Sequence, residues 1–207
     1  MKRWFSWFVF VGCLFCSLFP SVVIAASETA FLCVTDIEPL LLTDVRYATP
    51  NNFTGKIVYE SDKVLLREPV AKQLAKAARY LKETYGFQFK IFDGYRPLAI
   101  QKKFWAILPD PKFVADPKVG SRHNRGAAVD LTIVDASGKE FEMGTPFDDF
   151  TPRAAFGYKE LSESVRLNRH LLASVMKKFG FDVLPSEWWH FDYHGWKAFS
   201  VADFPVK

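Results

Sequence analysis

Apolar positions recur at a helical interval in three stretches of the chain. Leu66, Val70, Leu74, Ala77 and Leu81 stand three or four residues apart, with Lys72, Lys76 and Lys82 between them. This predicts an amphipathic helix over Arg67–Tyr85. Pro69 falls in its first turn, where a missing N–H is harmless, and Gly86 closes it. Leu98–Leu108 reads as a second, shorter helix. Ser162–Phe179 reads as a third, with Val165, Leu172, Val175, Met176 and Phe179 on one side. Strand signals are sparser. Residues 87–92 alternate, Ala127–Val134 is apolar apart from the embedded Asp130, and Trp188–Tyr193 is a short aromatic run. Residues 36–60 are mixed, with turn signals at Thr49-Pro50-Asn51-Asn52. Residues 109–122 carry three prolines and Gly120 and read as a loop. The order is helix, strand, helix, loop, strand, helix, strand. That is too few strands for a doubly wound sheet and predicts an α+β fold: helices packed on a small antiparallel sheet, in one domain.

The N-terminus has a different pattern. Lys2 and Arg3 precede an apolar run from Trp4 to Phe19, and Val23-Ile24-Ala25 ends the segment on small residues. This is the layout of a secretory signal peptide. It predicts cleavage after Ala25 or Ala26, a mature domain over 26–207, and export, in all expectation to the periplasm. An uncleaved anchor fits less well, because Pro20 interrupts a run already short of the roughly 20 residues of a membrane span. No later segment has the length or apolarity to span a bilayer, so no stable membrane insertion is expected after cleavage. Cys13 and Cys16 fall in the leader. Cys33 alone remains, and the mature fold has no internal disulfide to rely on. Beyond the leader, 25 basic residues face 23 acidic ones, a balance of +2. No basic stripe is present to neutralise phosphates, which argues against nucleic acid as a partner. Nothing in the sequence sets the oligomeric state.

The chain has four histidines, so their surroundings are quickly weighed. His123 stands seven residues before Asp130, and Asp130 lies inside an apolar strand, where a carboxylate is costly unless it is paired or bound to a metal. Backbone donors or a cation would each satisfy it. Glu187-Trp188-Trp189-His190 forms a second cluster. His123, Asp130 and His190 together make a set of nitrogen and oxygen ligands of the kind that holds a catalytic zinc, three from the protein and the fourth position left to water. Glu187 and His190 would face opposite sides of a regular strand. Both reach one ion only if Glu187 sits in the turn after Pro185, before the strand begins. Arg96, in Asp93-Gly94-Tyr95-Arg96-Pro97, lies in a turn between a strand and a helix, either as a functional cation or as a surface arginine paired with Asp93. His170 reads as a helix-surface residue and His194 as a turn residue.

The pattern S-x-H-x-x-G-x-A-x-D over Ser121–Asp130, followed by E-x-W-H over 187–190, resembles the zinc D,D-peptidases that act on bacterial cell-wall peptides. Tyr47-Ala48-Thr49, Asn52-Phe53-Thr54-Gly55, Asp93–Pro97, Met143-Gly144, Phe147-Asp148 and the ending Asp203–Lys207 are similar to the D-alanyl-D-alanine dipeptidase branch of that group. The resemblance runs from about residue 36 to the C-terminus. It implies one Zn²⁺ held by His123, Asp130 and His190, Glu187 as general base, and Arg96 as stabiliser of the oxyanion. It also implies that Ser121 contacts the substrate carboxylate and that Asp148, with Tyr47, holds the free ammonium. The implied fold is a small α+β domain with its site over an antiparallel sheet, and the implied reaction is hydrolysis of D-Ala-D-Ala to D-alanine. Two alternatives stand beside it: a D,D-carboxypeptidase that trims stem peptides, and a cell-wall peptide-binding protein without catalysis.

Overall fold

A computed structural model describes Met1 and residues 30–207. The expected leader lies, Met1 apart, outside the described residues. In chain order the elements are β1 (Phe31–Cys33), α1 (Val34–Ile37), β2 (Leu42–Thr43), β3 (Leu65–Arg67), α2 (Glu68–Tyr85), β4 (Gln88–Asp93), α3 (Leu98–Ile107), β5 (Ala128–Val134), α4 (Glu163–Lys178), β6 (Phe181–Val183) and β7 (His190–Tyr193). Single 3₁₀ turns cover Arg46–Ala48, His123–Arg125, Pro152–Ala154 and Trp196–Ala198. No helix among the described residues is long and apolar enough to cross a membrane.

The predicted helices all form, each within a residue or so of its expected ends. Pro69 occupies the first turn of α2 and Gly86 caps it in the left-handed region at φ 77°. Ser162 caps α4, its side chain accepting from Val165 N at 3.3 Å. The alanines of α2 (Ala71, Ala75, Ala77, Ala78) are all buried, and their small side chains let the helix axis lie close to its neighbours. The main sheet has the order β2-β4-β5-β7-β6. It corrects the expectation in two respects. The edge strand β2 runs parallel to β4, so the sheet is antiparallel only from β4 onward. The strand expected at Trp188 begins at His190, and both tryptophans lie before it. Beside the main sheet, β1 and β3 form a separate antiparallel pair.

Strand β5 is buried along its whole length. By alternation Val129, Leu131 and Ile133 enter the core, while Asp130 projects from the opposite face. A bulge in β4 sets Ile91 opposite Leu131 and Asp93 opposite Asp130. The extra residue bends the strand out of the sheet and into the Gly94–Pro97 turn. The sheet thus delivers Asp93, Asp130 and His190 side by side.

Candidate active site

Asp130 and His190 are directly opposed in the β5–β7 ladder, so both side chains leave the same face of the sheet. His123 opens the 3₁₀ turn just before β5. That turn ends at Gly126, with φ 64°, and a Cβ there would stand 2.3 Å from Phe31 Cε1, so only glycine fits. The chain then enters β5 with His123 folded back over Asp130. His123 Nε2 lies 3.1 Å from His190 Nδ1 and 3.4 Å from Asp130 Oδ1, and His190 Nδ1 lies 3.0 Å from Asp130 Oδ1.

The far side of each ring fixes what the near side offers. His123 Nδ1 donates to Gly94 O at 2.7 Å, and His190 Nε2 donates to Asp192 Oδ1 at 2.9 Å. The nitrogens facing each other are then lone-pair atoms. Asp130 Oδ1 is buried and accepts no hydrogen bond. Three acceptors therefore crowd one point, an arrangement that calls for a cation. A tetrahedral zinc with bonds of about 2.0–2.1 Å needs its ligands roughly 3.3 Å apart, close to the distances present. The donor set of imidazoles and carboxylate, without thiolate, suits that ion. Electrostatics agrees. Burial raises the Asp130 carboxyl, but His123 and His190 outweigh it and hold it well below the usual range. Burial opposes charge on His190, yet Asp130 and Asp192 hold that ring well above its ordinary value. The carboxylates around His190 thus favour positive charge at this point, as a metal ion would supply it.

Glu187 lies in the turn after Pro185, its N–H donating to Leu184 O at 3.1 Å, ahead of β7 as the shared-ion geometry required. Its carboxylate comes within 4.0 Å of His190 Nδ1. Burial pushes it up to about 8, with His190 opposing. Arg96 is paired with Asp93 as one reading had it, but buried rather than at the surface. Nε and Nη2 donate to Asp93 Oδ2 at 3.1 and 2.7 Å, and Nη1 donates to Gln101 Oε1 at 3.0 Å. Burial works against its charge, but Asp93 more than offsets this. Asp93 also accepts from Tyr59 Oη at 2.9 Å. Three of the five guanidinium N–H groups are thereby occupied, and two remain for a ligand.

At the other end of the cleft, Asp148 sits at φ 60°, in the left-handed region. It accepts from Tyr47 Oη at 3.0 Å and from Phe53 N at 3.3 Å, and forms no ion pair among the described residues. Burial pushes its carboxyl up to about 7 against those two hydrogen bonds, and burial, then Asp148, raises the Tyr47 hydroxyl. Ser121 Oγ accepts from Asn124 N at 3.2 Å, which leaves its own proton to donate. All eight residues singled out from the sequence line this one cleft of about 110 Å³, together with Phe53, Phe113, Phe150 and Trp189.

Sequence reasoning passed over Asp192 and Gln101. Asp192 carried a signal, since it stands two residues from His190 on one strand and so shares its face. His194 instead meets Asp182 at 2.9 Å, half exposed, and His170 is exposed on α4.

Comparison with known proteins adds the following. The peptidase M15 family model, D-Ala-D-Ala dipeptidase, matches residues 27–203. A D-alanyl-D-alanine dipeptidase of Escherichia coli (strain K12) is 38% identical over 156 residues, spanning 75% of this chain and 80% of its own. One from Enterococcus faecium is 32% identical and spans 87% of this chain and all of its own. A solved structure of a vancomycin resistance D,D-dipeptidase, VanXYg, in complex with a D-Ala-D-Ala phosphinate analogue covers 81% of this chain and 68% of its own, at 22% identity and a TM-score of 0.41.

Proposed function

The chain belongs to the D-Ala-D-Ala dipeptidase family of M15 peptidases, and from that membership we propose that it hydrolyses free D-Ala-D-Ala to D-alanine with one zinc ion held by His123, Asp130 and His190. The observation that carries the metal assignment is the convergence of three acceptor atoms at 3.0–3.4 Å with no donor between them. Zinc supplies Lewis acidity that polarises the scissile carbonyl and makes water a nucleophile near neutral pH.

The side chains divide the remaining work. Glu187 takes the proton of the attacking water and passes it to the leaving amine, and burial, which raises its carboxyl, makes it a stronger base than an exposed glutamate. Arg96 turns its two free N–H groups to the carbonyl oxygen as charge develops there. Asp93 and Gln101 hold it in place beforehand, so no reorganisation is needed at that moment. Ser121 donates to the substrate carboxylate. Asp148 and Tyr47 receive the ammonium. An Asp148 carboxylate without a cation of its own supports that role, because a free dipeptide supplies the missing charge. The small cleft points the same way, since its volume is well below the roughly 300–1,000 Å³ of sites for larger ligands.

The leader-like layout of residues 1–25 supports export, so that cleavage takes place in the periplasm with residues 26–207 as the working domain. A carboxypeptidase acting on stem peptides would need an open amino side. The test is to compare D-Ala-D-Ala with its N-acetylated form on zinc-loaded protein. Cleavage confined to the free dipeptide is the expected result, and preference for the blocked one would overturn the dipeptidase reading.

A further inference from the structure

Among the described residues Arg169 is the most deeply buried arginine, 1% exposed, and it lies on α4, outside the cleft. Among the described residues it forms no ion pair. A guanidinium buried without a carboxylate is costly, so its hydrogen bonds must satisfy it. They do so in one direction only. Nε donates to Met143 O at 2.7 Å, Nη1 to Ala155 O at 2.7 Å and Nη2 to Arg153 O at 2.9 Å. These carbonyls bracket one loop. Asp148 sits at its middle, five residues from Met143 and five from Arg153.

The loop has little regular structure of its own and carries Asp148 in a strained backbone conformation. Such a conformation persists only when its surroundings over-determine it. Arg169 fixes both ends from the helix side. Two further bonds tie the loop to the segment bearing Glu187: Trp188 N donates to Ala154 O at 3.0 Å and Trp188 Nε1 to Thr145 Oγ1 at 2.9 Å. The guanidinium is thus one fork that clamps both ends of the loop carrying Asp148.

We propose that Arg169 is a positioning residue for recognition of the substrate's free ammonium, acting through the Met143–Ala155 loop on Asp148. The proposal rests on the reading of Asp148 as the ammonium site. Lysine reaches at most part of the same set of carbonyls and cannot reproduce the fork.

The test uses the full zinc-loaded protein with D-Ala-D-Ala as substrate. Arg169→Gln and Arg169→Lys are each made alone and in an Asp148→Asn background, with KM, kcat, zinc content and thermal midpoint read for every variant. A misplacement of about 1 Å can cost up to roughly 10²-fold where a group must meet its partner in fixed geometry, and here the group displaced is the one that meets the ammonium. Arg169→Gln is therefore expected to raise KM by about tenfold or more, with zinc content unchanged and kcat much less affected, and Arg169→Lys is expected to fall between it and the parent. In the Asp148→Asn background the same substitutions should add nothing further to KM. A folded, zinc-loaded Arg169→Gln with parental KM overturns the proposal, as does a KM rise that persists when Asp148 is already asparagine. If Asp148→Asn alone leaves KM unchanged, the ammonium site itself is misassigned and the proposal falls with it. If Arg169→Gln does not fold, Arg169→Lys carries the comparison. An Arg169→Lys that also fails to fold assigns the guanidinium to stability alone and overturns the proposal.

Discussion

The two ends of the cleft are built in different ways. The proposed metal end stands on regular backbone: Asp130 and His190 face each other across a ladder, and His123 rides on the turn that feeds β5. Each ligand is held from behind, by Gly94 O, Asp192 or the strand itself. The end proposed to hold the ammonium stands on irregular segments. Tyr47 comes from a 3₁₀ turn and Asp148 from a strained loop position, and the two meet across 101 residues of chain. A metal ion tolerates little error in ligand position, so strands supply it. An ammonium group is a compact charge with three donors and accepts a site assembled from loops. The difference predicts that damage at the metal end removes chemistry, whereas damage at the ammonium end removes selectivity and leaves chemistry in place.

The sharpest break is at Asp130. Asp130→Ala removes a ligand and leaves two imidazoles facing a gap, and zinc content and turnover should both fall below detection, as read by elemental analysis and D-alanine release. Retained stoichiometric zinc would show that the ion is held elsewhere. Glu187→Ala separates binding from chemistry at the same end. The ligands are untouched, so zinc stays, while loss of the base should lower kcat by roughly 10²–10⁴. Near-normal turnover in zinc-loaded Glu187→Ala would assign the proton transfer to another group.

The same contrast governs what the sequence reveals. The metal end is legible because its rare residue types fall in two short segments, Ser121–Asp130 and Glu187–His190, and because a carboxylate in an apolar strand demands a partner. The period of two demanded that Glu187 precede the strand if it and His190 were to reach one ion, a placement the sequence permitted without showing. The sheet itself was harder to read. β2, β3 and β6 have two or three residues each, too few to display an alternation, and the parallel edge depends on contacts between segments far apart in sequence. The supports of the site were hidden for another reason. Gln101 and Arg169 sit on helices, where polar residues are ordinarily solvated. Arg169 did carry a signal: it falls between Val165 and Leu172 on the apolar stripe of α4, at the spacing that faces the core.

Asp192 tests how much of the metal end depends on its backing. It accepts from His190 Nε2, with Arg122 Nε 3.6 Å from its other oxygen. Asp192→Asn keeps the shape but loses the charge that orients the ring and raises its basicity. Partners of this kind are typically worth about 10–100-fold in metal affinity. Competition with a chelator should show zinc bound more weakly by that order, with kcat near the parent value at saturating zinc. An unchanged affinity would mean that strand geometry alone orients His190.

The smallest effect, and the one of opposite sign, is expected at Asp148. Its carboxyl titrates at about 7 in the folded protein against an ordinary value of 3.8, because burial disfavours the charge. The folded state therefore binds this proton more tightly than the unfolded chain. The group's contribution favours folding below about pH 4 and is lost as pH rises towards 7. Asparagine has no charge to bury at any pH. Asp148→Asn should lie near the parent's thermal midpoint at pH 4 and exceed it at pH 8 by roughly 10 °C, while KM for D-Ala-D-Ala rises and zinc content does not change. A substitution that weakens substrate recognition yet steadies the fold marks a residue kept for binding. A midpoint that falls at both pH values would instead make Asp148 part of the loop's framework and erase the contrast between the two ends.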